Sequence, residues 1–288
     1  MIKAALAIRN FISSFSQFVL SFFKILFLSK WFKKFPPNNG DTIALLANGP
    51  SLNSALEKIK KEEFPSNIMV TNFFCNSELY QELKPNYYVI CDPSFVNLPE
   101  GDSVFKDFYR NLYEKTTWEL TFFVPYKSLK KAQKIIQELQ FFNEKITISG
   151  YNNVNFNGDN WFNYFFFKLG LGMPRPTTVA IPALMLAIQM KYKKIKIAGI
   201  DLNQHQDIIV DAKNIVCLKS THFYDDEITY KPFYKDKSQN RTFTSSEIFL
   251  IFHHFFYSFD IIAKFAINQN IEIINYSSES FLDQFKKI

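Results

Sequence analysis

The chain has 288 residues, with 34 Phe and 14 Tyr against 8 Gly, and a formal net charge of +6. That length suits one large α/β domain, or one domain with a small lid. Lys3, Arg9, Lys24, Lys30, Lys33 and Lys34 precede residue 35 with no acid among them, so the remainder is near neutral, which argues against a nucleic-acid-coating surface.

Cys75, Cys91 and Cys217 are odd in number and show no CxxC spacing. They read as reduced packing residues in a cytosolic setting. Along residues 1–35, a helical projection gathers Phe11, Ile12, Phe15, Phe18, Val19, Phe22, Ile25 and Leu26 on one side. Asn10, Ser13, Ser14, Gln17, Ser21 and Lys24 share the other. Lys24 would sit badly in a spanning helix, and no small-residue cleavage site follows. The segment is expected to lie in the plane of a membrane surface, closed by the basic aromatic tract at 30–34. The alternative is a helix packed on the domain or on a partner subunit, the latter leaving room for a homo-oligomer. Residues 36–40, Pro-Pro-Asn-Asn-Gly, read as a linker, so the folded domain is expected over 41–288.

Thr42–Ala47 is a continuous apolar run, as in a central parallel strand, and Asn48-Gly49-Pro50-Ser51 breaks it before a helix over 52–61. Further strands are predicted at 68–71, 87–91, 120–124 and 146–148, with a helix at 127–139. A buried helix over 178–190 leads to a strand at 194–198, which closes on Gly199-Ile200-Asp201. Residues 203–243 have little periodicity and read as a lid. A long helix over 246–268, a strand at 272–275 and a terminal helix at 280–286 complete the pattern. Such alternation implies a Rossmann-like, doubly wound, mostly parallel sheet. In such sheets ligands bind beyond the carboxyl ends of the strands. Asn48-Gly49, Asn72, Asp92-Pro93-Ser94 and Gly199-Ile200-Asp201 all fall there, and their convergence points to a binding rim.

Each of those residues has a functional and a structural role open to it. Gly49 allows close backbone approach, and Ser51 can cap the helix while its N–H faces a ligand anion. The turn lacks the lysine of a P-loop and the three glycines of a dinucleotide fingerprint. Asn72 and Asp92 suit a base or ribose, or simply a turn. Thr177 and Thr178 are helix-cap candidates. Arg175 could meet a carboxylate or phosphate bidentately. His222 could act as a general base, with His205 an alternative, while His253 and His254 fit packing or surface roles. No His/Cys/Asp spacing recommends a metal site.

The run ANGPSL at 47–52 resembles the GNGPSL nucleotide loop of bacterial CMP-sialic acid transferases of lipooligosaccharide synthesis. Thr71-Asn72-Phe73-Phe74 resembles their second motif, and Asp92-Pro93-Ser94 is similar to an Asn-Pro-Ser turn. Arg175-Pro176-Thr177-Thr178, the following helix and Ile197–Asp201 resemble a block reading Arg-Ile-Thr-Ser, helix, Ser-Gly-Ile-Asp. The likeness spans about residues 42–225 and extends to flagellin nonulosonate transferases and archaeal pterin diphosphokinase-like proteins. It implies a GT-A-like sialyltransferase variant. The implied reaction is inverting and metal-independent, needs no cofactor, and moves sialic acid, a related nonulosonate or Kdo from CMP to a glycan or lipid-linked glycan. The implied place is the cytoplasmic face of the inner membrane. By the same resemblance, Asn48, Gly49, Pro50, Ser51, Asn72, Asp92, Thr177, Thr178, Gly199 and Asp201 hold the donor. His222 is the base, Arg175 meets donor negative charge and Tyr224 stabilises the leaving phosphate. Asp92 departs from the family's asparagine and Val179 from a glycine. Leu202 and Asn203 stand where the family carries aromatic residues. Asp225 and Asp226 replace a second histidine, so Asp225 is an alternative base. Two other classes stay open: a magnesium-dependent diphosphokinase and a nonenzymatic envelope-assembly protein.

Overall fold

A computed structural model of the chain describes residues 16–31, 35–36, 38–98, 103–220, 229–236 and 240–288. Eight strands form one sheet in the order β13-β12-β6-β1-β2-β3-β4-β5, and every neighbouring pair is parallel. In chain order these are β1 (Thr42–Leu46), β2 (Asn67–Thr71), β3 (Tyr87–Val89), β4 (Leu120–Pro125), β5 (Ile146–Tyr151), β6 (Lys194–Ala198), β12 (Glu272–Asn275) and β13 (Lys286–Lys287). The fold is therefore the expected Rossmann-like α/β sheet, with the small edge strand β13 added.

Side chains alternate across each strand, and the two faces collect different helices. Ile43, Leu45, Met69, Val89, Ile195 and Ile197 face one core with α6 (Asn160–Lys168), α7 (Ala180–Gln189) and α8 (Ser245–Asn268). Ala44, Leu46, Ile68, Val70 and Ala198 face the other with α2 (Leu52–Lys61), α4 (Val104–Lys115) and α5 (Tyr126–Glu138). A short helix, α3 (Leu79–Leu83), precedes β3. Strand order reverses between β1 and β6, since β2 to β5 run outward on one side and β12 and β13 on the other. The Gly49 and Gly199 turns thus sit side by side at the switch point, where an open α/β sheet forms its crevice.

The structure corrects one sequence expectation and adds detail to two others. The segment 280–286 is not helical: Ser280 Oγ donates to Ile200 O at 2.6 Å and Phe281 N donates to Asp201 O at 2.8 Å. Its groups serve the β6 turn rather than an i−4 ladder. The described parts of 203–243 are ordered into β7 (Ile208–Val210), β8 (Val216–Ser220) and β9 (Thr229–Pro232), an antiparallel sheet, followed by the hairpin β10 (Tyr234–Asp236) and β11 (Arg241–Thr242).

The third concerns α1 (Ser16–Leu28). Its Ile25 is fully buried in the core, and Phe18 packs at 4.3 Å between ring centroids on Phe162. Ser29 Oγ donates to Leu171 O at 2.6 Å, and Lys30 N donates to Asn152 Oδ1 at 2.8 Å. Part of the apolar face assigned to a membrane is thus a domain-packing face, and Ser21, assigned to the polar side, is buried and accepts from Asn157 N. Among the described residues α8 is the one helix long and apolar enough to cross a membrane, and a third of its most apolar stretch is buried.

Candidate functional site

The apolar strand β1 stops at Ala47 because Asn48, Gly49 and Pro50 cannot continue a ladder. Gly49 N donates to Gly199 O at 2.9 Å, clamping the ends of β1 and β6 together. A Cβ on Gly49 would lie 2.4 Å from Asp201 Oδ2 and 2.5 Å from Gly199 O. One on Gly199, whose φ is +72°, would lie 2.2 Å from Ala47 O. Both glycines are demanded by backbone crowding within the protein itself.

Ser51 behaves differently from its expected role. It makes no side-chain cap to α2. Its N–H donates to Asp201 Oδ2 at 3.0 Å, and its hydroxyl donates to Asp201 Oδ1. Ser277, just past β12, lies 2.7 Å from the Ser51 hydroxyl and accepts from Gly199 N at 2.8 Å. Ser51, Asp201 and Ser277 are all buried. The anion at the N-terminus of α2 is therefore the protein's own carboxylate, a favourable partner for the helix dipole. Ser51 and Asp201 were expected to face a ligand, and both side chains instead face each other.

The opposite side of the rim is unsatisfied. Asn72 follows β2 in a left-handed conformation, φ +51°, which asparagine tolerates. Its Oδ1 is buried without a partner, as are Thr71 Oγ1 and Thr177 Oγ1. Neither Thr177 nor Thr178 caps α7 with its side chain. Native proteins rarely leave such atoms orphaned, and ligand sites are one reason they do. These groups border two adjoining cavities. One, of about 280 Å³, runs along Asn48, Gly49, Asn72, Thr178 and Gly199 to Gln204. The other, of about 270 Å³, is bordered by Asn72, Cys91, Asp92 and Thr177. Asn72, Thr178 and Val179 belong to both. Each cavity alone falls below the roughly 300–1,000 Å³ of a small-molecule site, and joined they reach it. The N-terminus of α7 opens onto both, so its leading N–H groups and dipole favour an anion there.

The remaining candidates spread around this cleft. Asp92 is exposed, and its Oδ1 accepts from Ser94 N at 2.7 Å, so one oxygen holds the turn after β3. Burial pushes the Cys91 thiol up, which keeps it a thiol at neutral pH rather than a nucleophilic thiolate. Arg175 is exposed and borders neither cavity. It acts on α8 instead: burial lowers the His254 pKa, and the neighbouring charges of Arg175 and His253 lower it further. His205 follows Gln204 at the cleft edge, its ring 4.2 Å from that of Phe281, with a buried Nδ1 lacking a partner. His222, Tyr224 and Asp225 lie outside the described residues. Among the described residues no group of three or more His, Cys, Asp or Glu gathers as metal ligands would.

Sequence reasoning missed Ser277, Thr71 and Gln204. Ser277 carries no local signal, because its role exists only once β12 lies beside β6. Thr71 stood in a quoted motif beside Asn72 and was passed over as the last residue of a strand.

No curated protein matches this chain. A family model does, over residues 10–207, which takes in α1, both switch-point turns, Asn72, Asp92 and Arg175. The chain belongs to the family described as 6-hydroxymethylpterin diphosphokinase MptE-like.

Proposed function

We propose that the chain is an inverting transferase that moves a 2-keto acid sugar from a CMP donor to a glycan hydroxyl. The observation that carries this reading is the cleft at Asn72, where three buried polar atoms lack partners beside a helix N-terminus. Thr71, Asn72 and Thr177 offer neutral hydroxyl and amide groups suited to a base and ribose. The end of α7 suits the donor phosphate or the sugar carboxylate. The acceptor oxygen attacks the anomeric carbon as the bond to the phosphate oxygen breaks. CMP leaves with that electron pair, and the acceptor proton passes to a base, assigned to His222. Sialic acid, related nonulosonates and Kdo share this donor chemistry, so all three belong to the proposal.

The test is thermal shift followed by transfer. CMP raises the melting temperature and ADP does not, while His222→Ala keeps CMP binding and loses transfer from CMP-sialic acid or CMP-Kdo. Equal shifts from both nucleotides would remove the reading, and full transfer by the variant would move the base to Asp225, Asp226 or His205.

The family match favours a second reading, pyrophosphoryl transfer to a pterin. That chemistry asks for a divalent cation between carboxylates. Within the described cleft Asp201 is spent on Ser51 and Asp92 holds Ser94, which is why it ranks second. Turnover with ATP that stops in EDTA would reverse the ranking.

A further inference from the structure

Beyond its packing face, α1 carries a second apolar stripe on the opposite side. Leu20, Phe23 and Phe27 recur at i, i+3 and i+7, and Trp31 follows the helix end; Phe27 is 77% exposed. The outer face of α6 continues the surface with Trp161, Phe165 and Leu169, Trp161 being 71% exposed. Ring contacts join the two stripes through Phe22 and the buried Phe166. Phe27 stacks on Phe23 at 6.5 Å and Phe23 meets Phe22 at 6.3 Å. Phe22 meets Phe166 at 6.1 Å, Phe166 meets Phe165 at 5.2 Å, and Phe165 stacks on Trp161 at 6.2 Å. An apolar patch of this kind on a folded chain marks an interaction surface.

Charge selects the partner. Lys24, Lys30 and Lys168 are exposed around the patch. The sequence holds no Asp or Glu before Asp41, and one, Asp159, between residues 151 and 170. Aromatic rings ringed by cations, with tryptophan at two places, match an anionic lipid interface. The bonds of Ser29 and Lys30, with the burial of Ile25, keep α1 on the domain, so the helix contributes one side and does not leave to span a bilayer.

We propose that the joined outer faces of α1 and α6 are a docking surface for an anionic lipid bilayer, lying in the plane of the interface. Sedimentation of the full chain with vesicles tests this, comparing phosphatidylglycerol–phosphatidylcholine mixtures with phosphatidylcholine alone. The chain is expected to pellet with the anionic vesicles, less with the neutral ones, and less again in about 0.5 M salt, where charges are screened within a few ångströms. Trp161→Ser with Phe165→Ser lowers the partition coefficient at least about tenfold, from the loss of two buried aromatic groups. Phe23→Ser with Phe27→Ser does the same. Both pairs are exposed, so unchanged melting temperatures will show that the fold survives. The proposal is overturned if the α6 pair binds vesicles as the parent does, since residues 1–35 would then suffice. It is equally overturned if no vesicle composition is bound, or if light scattering finds a dimer that the α6 pair dissociates while vesicle binding stays absent.

Discussion

The two sides of the switch-point rim carry similar residues and use them in opposite ways. On the β1/β6 side, the side chains of Ser51, Asp201 and Ser277 satisfy one another and the Gly199 N–H. On the β2/α7 side, Thr71, Asn72 and Thr177 hold buried polar atoms with no partner. A polar residue at a strand end is thus not evidence of binding by itself. Whether its hydrogen-bonding capacity is already spent separates the latch from the site.

Substitution should pull the two sides apart. The largest effect is expected at the latch glycines. Gly199→Ala forces a Cβ onto Ala47 O at a positive φ, costing about 2–4 kcal/mol from overpacking and backbone strain combined, read by chemical denaturation. Asp201→Ala comes next: it leaves the Ser51 N–H buried without an acceptor and its hydroxyl with Ser277 Oγ alone, for about 1–3 kcal/mol. If either variant kept full stability while losing nucleotide binding, the latch would be part of the site and the contrast would fail.

The open side should respond inversely. Thr177→Val removes a hydroxyl that has no partner, so stability holds or rises by up to about 1 kcal/mol, while nucleotide affinity falls about tenfold in titration calorimetry. Asn72→Gly isolates the amide, because glycine accepts the positive φ. It should lower affinity with little change in melting temperature. Affinity unchanged in both variants would leave the orphaned atoms unexplained by a ligand.

The smallest effect concerns the anchor of the hairpin β10–β11. Hydrogen bonds from Lys235 and from the Thr244 backbone, together with the charges of Lys235 and Arg241, hold the Glu247 pKa at about 2. That is below its ordinary value of 4.5, so the folded state releases the proton more readily than the unfolded state. Its contribution is present above pH 4.5 and is lost as pH falls towards 2. Glu247→Gln should flatten that acid limb of the melting-temperature profile and leave nucleotide binding alone.

Much of this was legible in the sequence because the parallel strands are continuous apolar runs that end on polar turns. Residues 42–46 and 120–125 are apolar on both faces, 194–198 alternates lysine with isoleucine, and the helices at 127–139 and 246–268 are close to those observed. Both cavities were foreshadowed too, since Asn48, Gly49, Asn72, Asp92 and Thr178 border them. Direction was not legible. Nothing local says that Asp201 turns inward, because its partner Ser51 lies 150 positions earlier in the chain. Helix α6 went unread because aromatic residues crowd it and blur the helical period, whereas α4 has a clear amphipathic period that was simply passed over. In α1 and just past it, the polar Ser21 and Ser29 are buried while Leu20, Phe23 and Phe27 are exposed, so polarity along the period did not say which side meets the domain.

The bond between Ser51 and Ser277 also has a consequence for biosynthesis. During translation the first turn of the rim is made about 11 to 45 seconds before Ser277, given about 5–20 residues added per second. Until then the α2 end and the β6 turn are held by Asp201 and by the Gly49–Gly199 backbone bond, without the Ser277 hydroxyl. A chain whose synthesis stops before Ser277 therefore retains the motif and its Asp201 partner, and lacks the hydroxyl that joins Ser51 to the Gly199 backbone.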